Sequence, residues 1–157
     1  IDLAPIFLYQ FKELIYSLLL NGQEHYQGYI EATNEFNLET YPELVFSSRV
    51  IDSLIESLQS YQLTALIVKD DLIALRFIHW LNNQGIIIPE AYAIISFNNS
   101  IFAEIMHPFL TTYDINIKEL GKESVQRLLD LLKNPQTKAQ KITVPFRLIE
   151  RESVSMG

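Results

Sequence analysis

Short apolar runs that alternate with amphipathic stretches are the feature that most constrains how this chain folds. Residues 14–20 (LIYSLLL), 65–69 (ALIVK) and 92–97 (YAIISF) have the length and continuity of strands that are buried on both faces. Between these runs, apolar residues recur at helical spacing over residues 26–36 and 72–81. This order predicts the α/β class, with an open, doubly wound parallel sheet covered by helices on both faces.

The same alternation continues through the rest of the chain. Residues 43–47 read as a further short strand, and residues 50–58 carry the apolar face of a helix. A short helix near residues 101–106 precedes an extended segment at residues 110–113. After the last clear helix, a strand-rich tail is predicted over residues 142–154. That last helix ends at Asn134-Pro135 and carries on one face Leu120, Val125, Leu128, Leu129 and Leu132.

Two acidic residues, Asp70 and Asp71, stand where the run 65–69 gives way to a helix. Acids at a helix N-terminus accept hydrogen bonds from free backbone N–H groups and interact favourably with the helix dipole. The pair therefore predicts a helix cap, and the alternative is that one acid caps while the other reaches a polar ligand. Gly85 and Pro89 predict where this helix ends.

Composition and charge exclude several classes of protein. Twelve basic and nineteen acidic residues give a net charge of −7, which opposes direct binding to nucleic-acid phosphates. The lack of cysteine excludes disulfides and thiolate zinc sites, and it fits a reducing cytosol. No apolar run approaches the roughly 20 residues that cross a bilayer, so no membrane partner is expected. Because the chain opens on Ile1 without an initiator Met, we expect a part of a longer protein.

Motifs for catalysis and metal binding are absent from the sequence. His25, His79 and His107 lack the spacing of metal ligands. There is no Gly-x-Ser-x-Gly nucleophile turn and no glycine-rich phosphate loop. We therefore expect no enzyme activity, no metal and no cofactor. Ligands of open α/β sheets bind outside the carboxyl ends of the strands, which here are followed by residues 21–25, 69–71 and 98–100.

Five motifs in the second half of the chain appear in a recognisable order and spacing: KDDLIAL (69–75), GIIIPE (85–90), SFNN (96–99), HPFLTTYDINIKELGKESVQRLL (107–129) and LIERESV (148–154). They resemble the C-terminal stretch of LacI/GalR transcriptional regulators. Members of that family typically carry an Asn-Asp pair after a strand, then Val-Pro, Phe-Asp-Asp, Leu-Thr-Thr with a later Leu-Gly, and a final Arg-x-Ser-Val. HYQGY (25–29) also resembles the start of a family helix.

The resemblance implies a type I, periplasmic-binding-protein-like fold, in which two α/β subdomains are hinged around a small effector. It covers the chain from about Gln23 to Val154 and leaves residues 1–12 unassigned. Residues 13–157 would then be the C-terminal part of the effector-binding sensor domain, with the DNA-binding headpiece outside the chain. Residues 118–134 would cross the hinge and pack on the N-terminal subdomain.

Four effector-binding residues follow from the resemblance, position by position. His25 stands where members have a ligand-clamping arginine, Asp70 at the asparagine of the Asn-Asp pair, and Asn98 at the first aspartate after Phe. Ile67 falls near an apolar wall position. His25 and Asn98 can donate and accept with fewer hydrogen bonds than arginine and aspartate, which predicts a different ligand or a weaker site. The alternative is that these side chains lie at the strand ends without binding a ligand.

A homodimer is also implied, through Leu75, His79, Phe102 and Met106. The alternative use of these residues is packing within the subdomain. The function implied is a cytoplasmic repressor module that binds a small sugar-like or nucleobase-like effector and thereby controls operator binding. A rival with the same fold is an extracytoplasmic solute-binding protein of a transporter, but LTTYDINIKELG and LIERESV are more typical of repressor tails.

Overall fold

One five-stranded sheet organises the part of the chain that the structure, a computed structural model, describes: residues 14–17, 23–38, 64–138 and 140–154. Of residues 14–17 and 23–26, the backbone alone is described. The strands follow the chain in the order β1-β2-β3-β4-β5. They are β1 (Leu14–Ser17), β2 (Ala65–Val68), β3 (Ala93–Phe97), β4 (Thr111–Asp114) and β5 (Arg147–Ile149).

Strand direction determines which loops meet. The first four strands are parallel, with Leu66 opposite Ile94 and Ser96 opposite Thr112. Strand β5 pairs antiparallel to β4, with Asp114 opposite Arg147, so the sheet is mixed rather than wholly parallel. The carboxyl ends of β1–β4 and the start of β5 therefore share one edge, which we name the carboxyl edge.

Helices cover both faces of this sheet. They are α1 (Gln23–Glu35), α2 (Asp71–Asn83), α3 (Ile101–Ile105) and α4 (Ile117–Lys133). Alternate residues of a strand point to opposite faces, and the core divides accordingly. Leu66 and Ile94 pack with Phe77 of α2, whereas Ile67 and Ala93 pack with Tyr29 of α1. The open, doubly wound α/β architecture predicted from the sequence is confirmed.

The predicted elements can be compared with the structure wherever it describes them. Strands predicted at 65–69, 92–97 and 110–113 appear as β2, β3 and β4, each shifted by at most one residue at an end. The predicted strand at 43–47 and helix at 50–58 lie outside the described residues. In the tail only β5 is a strand, because the segment after it is held by side-chain hydrogen bonds described below.

Helix α2 begins and ends as the sequence predicts. Asp70 is the N-cap, and its Oδ1 accepts a hydrogen bond of 2.9 Å from the Ile73 backbone N–H. At the other end Gly85 adopts φ +75°, and its N–H bonds the Asn82 carbonyl at 3.0 Å. The next N–H, of Ile86, bonds Leu81 at 3.0 Å, which completes a Schellman-type stop.

Helix α4 differs from the others because none of its residues is buried among the described parts of the chain. It is amphipathic, so its apolar face stands open: Ile117, Leu120, Val125, Leu128, Leu129, Leu131 and Leu132 are all exposed. Packing of this face on the N-terminal subdomain, which the resemblance implies, stays a prediction. Within the described residues, no helix is both long enough and apolar enough to span a membrane.

We predict that Gly85→Ala lowers the free energy of unfolding by about 1–2 kcal/mol, since a Cβ is disfavoured in the left-handed region. Urea denaturation of the protein measures the change. Gly121→Ala is the matched control, because Gly121 lies inside α4 with open space around it. There alanine should be neutral or stabilising by up to about 1 kcal/mol. Equal losses at both positions would contradict the role of Gly85 as a helix stop.

Candidate functional site

Polar residues gather at the carboxyl edge of the sheet. Asp70 follows β2, Asn98 and Asn99 follow β3, and Asn116 lies two residues after β4. Three of these residues have left-handed backbones, with φ of 101° at Asn98, 49° at Asn99 and 53° at Asn116. Asparagine is enriched in that region because its short amide bonds the local backbone. The edge thus presents amides and a carboxylate on tightly turned loops.

The turn formed by Asn98, Asn99 and Ser100, which we name the 98–100 turn, is held by β4. The Asn98 N–H donates to the Tyr113 carbonyl at 2.8 Å. The Asn99 N–H donates to the Thr112 hydroxyl at 3.3 Å. A backbone carbonyl and a hydroxyl of β4 therefore set the position of the loop that follows β3.

Asp71 lies beneath this turn and is only 1% exposed. Its Oδ1 accepts hydrogen bonds from the Ser96 hydroxyl and, at 2.9 Å, from the Thr112 hydroxyl. Its Oδ2 accepts from the Ser100 backbone N–H at 2.5 Å. Of the acidic pair, Asp70 caps α2 as predicted, whereas Asp71 binds β3, β4 and the 98–100 turn.

Arg151 holds the same turn from the other side. Its guanidinium donates to the Leu110 carbonyl at 2.9 Å, to Asn99 Oδ1 at 2.8 Å and to Glu104 Oε1 at 3.1 Å. The Arg151 side chain is 16% exposed, so its bonds to Leu110 and Asn99 are partly shielded from water, whereas its bond to the 57% exposed Glu104 is open to solvent. The planar fork of arginine suits such divergent acceptors.

Ser153 anchors the tail at the opposite, amino end of β3. Its hydroxyl donates to the Ile94 carbonyl at 2.6 Å and accepts from the Thr111 N–H at 2.8 Å. The Thr111 hydroxyl in turn donates to the Arg151 carbonyl at 3.1 Å and accepts from the Arg151 N–H at 2.9 Å. Ser153 is fully buried, so the tail is an integral part of the sheet's packing.

An open cavity of about 380 Å³ lies where β4 and β5 meet the carboxyl edge, and its lining is formed by Asp114, Asn116, Pro145, Phe146 and Arg147. The Arg147 guanidinium lies 3.4 Å from the Asp114 carboxylate, and Arg147 is largely exposed. Phe146 contacts the Tyr113 ring edge to face, with centroids 5.7 Å apart. The cavity therefore combines charged, amide and aromatic groups, as small polar ligands require.

The four predicted effector residues lie at different depths. Asp70 and Asn98 are partly exposed at the carboxyl edge. His25 is in the first turn of α1, which follows β1 and therefore begins at the same edge. Ile67 is 3% exposed and packs in the core cluster around Tyr29, so the structure uses it for packing. Its contact with an effector stays a prediction.

The four predicted dimer residues also differ in their exposure to solvent. Leu75 on α2 and Phe102 on α3 are partly buried, and His79 is exposed. Met106 is 4% exposed and belongs to the core cluster of α2, so it packs within the domain, the alternative stated above, and its contact with a second copy stays a prediction. Exposed apolar side chains that sequence reasoning missed flank these positions, namely Leu72, Ile101 and Ile105.

Sequence reasoning also missed the residues that fix the site from below. Ser96, Thr112 and Arg151 were not singled out, and Asp71 was predicted to cap α2 or to reach a polar ligand, not to bind β3, β4 and the 98–100 turn. The available signal was the position of their hydroxyl and guanidinium groups inside the SFNN, LTT and RESV motifs. Among the described residues, no cluster of three or more His, Asp or Glu could hold a metal ion.

Comparison with known proteins places this geometry in a family context. Residues 19–154 match the family model of the periplasmic binding protein-like domain. The chain is 36% identical over 107 residues to the HTH-type transcriptional regulator GanR of Bacillus subtilis strain 168, a match covering 68% of this chain and 32% of GanR.

Two solved structures have the same fold. Transcription regulator CcpA of Lactococcus lactis is 26% identical with a TM-score of 0.81, covering 96% of this chain and 58% of that one. A LacI family transcriptional regulator from Enterococcus faecium, with bound ribose, is 22% identical with a TM-score of 0.81, covering 96% of this chain and 59% of that one. The chain thus spans about a third of GanR and somewhat more than half of each solved regulator.

We predict that Arg151→Lys lowers the free energy of unfolding by about 1–3 kcal/mol, since one ammonium group cannot reach all three acceptors. Arg147→Lys is the matched control, because its ion pair is exposed and should contribute less than about 1 kcal/mol. Urea denaturation of both variants tests the difference. An Arg151→Lys protein as stable as Arg147→Lys would show that the tail is not held by the arginine fork.

Proposed function

Because the chain belongs to the periplasmic binding protein-like domain family, as found in LacI-type transcriptional regulators, we propose that it is the effector-sensing and dimerisation part of a transcriptional repressor. It binds a small sugar-like or nucleobase-like ligand and thereby controls how the parent protein binds its operator in the cytoplasm. DNA is contacted by a headpiece outside this chain, consistent with the net charge of −7. The relatives described above are transcriptional regulators, which favours this function over that of a transport protein or an enzyme.

The observation that carries the proposal is the convergence of polar groups and open space at the carboxyl edge. Asp70 and Asn98 leave adjacent strands there, and the 380 Å³ cavity opens at the same edge. Ligands of open α/β sheets bind at this edge because loops from several strands converge on it. A cavity of this volume matches a ligand the size of a monosaccharide or a nucleobase.

The chemistry of the edge favours a neutral ligand with several hydroxyl or amide groups. Asn98 and Asn116 offer both donors and acceptors, and Asp70 and Asp114 offer acceptors. Phe146, which is 45% exposed, gives an aromatic face on which the apolar side of a sugar or a base can stack. The E. faecium regulator of the same fold was solved with ribose, which makes ribose a suitable first probe.

The proposed switch is a shift between two arrangements of the sensor domain. A ligand bound between this edge and a second subdomain stabilises the closed arrangement by its differential affinity for the two states. A coupling free energy of about 1–3 kcal/mol is typical of such switches. That amount is enough to change how a dimer spaces its two DNA-binding heads.

The proposed dimer contact is the surface formed by α2 and α3. Leu75, His79 and Phe102 lie on these helices, and the exposed side chains of Ile101 and Ile105 widen the apolar patch. A symmetric dimer would bring two copies of this patch together. Met106 is omitted because it is buried in the core of the chain itself.

We predict that Asn98→Gly weakens effector binding while the fold is retained. Glycine accepts the left-handed φ of this position, so the substitution removes the amide without straining the turn. The experiment is calorimetric titration of the full-length protein with a panel containing ribose, cellobiose, galactose, hypoxanthine and guanine. Loss of one or two ligand hydrogen bonds should weaken binding by at least about tenfold.

Asn37→Gly is the matched control for that titration. Asn37 also has a left-handed φ, of 54°, but it follows the C-terminus of α1, away from the carboxyl edge. Its substitution should leave the affinity unchanged. Wild-type affinity in Asn98→Gly, or equal losses in both variants, would remove Asn98 from the effector site.

We predict that Ile105→Glu converts the full-length dimer into monomers, because a charge in the centre of an apolar contact is left without water. Ile105 is 63% exposed, so the substitution costs the isolated chain little. Analytical ultracentrifugation measures the change. Ile87→Glu is the control, since Ile87 is 65% exposed beyond the end of α2. A wild-type monomer, or an Ile105→Glu dimer, would contradict the assigned surface.

A further inference from the structure

We propose that Asp71 is the positioning residue of the carboxyl-edge site: it fixes the 98–100 turn and thereby sets effector affinity without touching the effector. This inference rests on the proposed function, because it concerns the loop that presents Asn98. Asp71 is 1% exposed, so its carboxylate is out of reach of a ligand at the edge. Its influence must therefore pass through the groups that it binds.

The groups that Asp71 binds hold the backbone of the 98–100 turn in place. Ser100 N–H donates directly to Asp71 Oδ2 at 2.5 Å. Asn99 N–H donates at 3.3 Å to the Thr112 hydroxyl, whose own proton is donated to Asp71 Oδ1 at 2.9 Å. The Asp71 carboxylate thus holds two consecutive N–H groups of the turn: that of Ser100 directly and that of Asn99 through Thr112.

The turn needs such an anchor because of its conformation. Asn98 and Asn99 are consecutive residues in the left-handed region, with φ of 101° and 49°. Non-glycine residues in this region store strain and persist only where surrounding contacts hold them. An unanchored turn would relax, and the amide of Asn98 would leave the position that β3 and β4 give it.

Helix capping does not explain the hydrogen bonds of the Asp71 carboxylate. Asp70 already accepts the capping hydrogen bond from Ile73 N–H. Both oxygens of Asp71 instead accept from residues 25 to 41 positions away along the chain. A carboxylate only accepts hydrogen bonds, and all three bonds here are donated to it. The site therefore uses the two acids of the DD pair differently, one for the helix and one for the turn.

The decisive variant is Thr112→Val, which keeps the shape of the side chain and removes the bridge between Asp71 and Asn99. Thr112→Ser restores the hydroxyl and serves as the rescue. Thr33→Val is the matched control: Thr33 is also fully buried, and within the described part of the chain its hydroxyl bonds only the α1 carbonyls of Tyr29 and Ile30 at 3.0 Å. Both valine variants lose a buried hydroxyl, so a loss of general stability affects them alike.

The primary measurement is backbone amide hydrogen exchange of the full-length protein without ligand. In Thr112→Val the amides of Asn99 and Ser100 should exchange about tenfold faster, as expected when local stability falls by the worth of one hydrogen bond. Thr112→Ser should restore slow exchange at Asn99 and Ser100, and Thr33→Val should leave it unchanged there. Unchanged exchange at these two amides in Thr112→Val, or equal acceleration throughout the protein in both valine variants, would overturn the proposal.

Titration with ribose is the second measurement. Thr112→Val should bind ribose about tenfold more weakly than Thr33→Val and Thr112→Ser. Wild-type affinity in a Thr112→Val protein whose turn has loosened would overturn the link between Asp71 and the site. If the wild-type protein binds no ribose, ribose is not its effector, and the exchange rates of Asn99 and Ser100 still decide whether Asp71 holds the turn.

Discussion

A buried carboxylate must find hydrogen-bond donors, and the placement of Asp71 imposes this requirement on the rest of the domain. Removing such a group from water costs several kcal/mol unless donors replace the lost hydration. Ser96, Thr112 and the Ser100 N–H supply them from three separate segments. Strands β2, β3 and β4 can therefore adopt only the register that brings these donors together, and the carboxyl edge acquires its shape as a consequence.

Strand β4 makes side-chain hydrogen bonds on both faces of the sheet. Its two adjacent threonines point in opposite directions, as successive residues of a strand do. Thr112 binds Asp71 beneath the 98–100 turn, while Thr111 exchanges two hydrogen bonds with the Arg151 backbone. Because the two threonines bind different partners, a Thr-Thr pair occurs together with a distant Arg-x-Ser-Val tail. The Thr111 hydroxyl and the Arg151 backbone satisfy each other's hydrogen-bonding needs, and the Thr112 hydroxyl satisfies those of Asp71 and the Asn99 N–H.

Local periodicity sufficed to predict β2, β3, β4, α2 and the start and stop of α2. These features depend on neighbouring residues, such as Asp70 three positions before Ile73. The different roles of Asp70 and Asp71 could not be predicted, because the partners of Asp71 lie 25 to 41 residues away. The burial of Met106 could not be predicted for a related reason. Its exposure depends on how the short helix α3 packs on α2, which a run of apolar letters does not reveal.

The position of α4 gives the carboxyl edge its connection to the rest of the protein. The chain runs from Thr112 in β4 through Asp114 and Asn116 to the start of α4 within five residues. The Asn116 N–H bonds the Asp114 carboxylate at 2.9 Å, which fixes the start of that path. A surface that covers the exposed leucines of α4 is therefore coupled by a short, hydrogen-bonded segment to the strand that anchors Asp71.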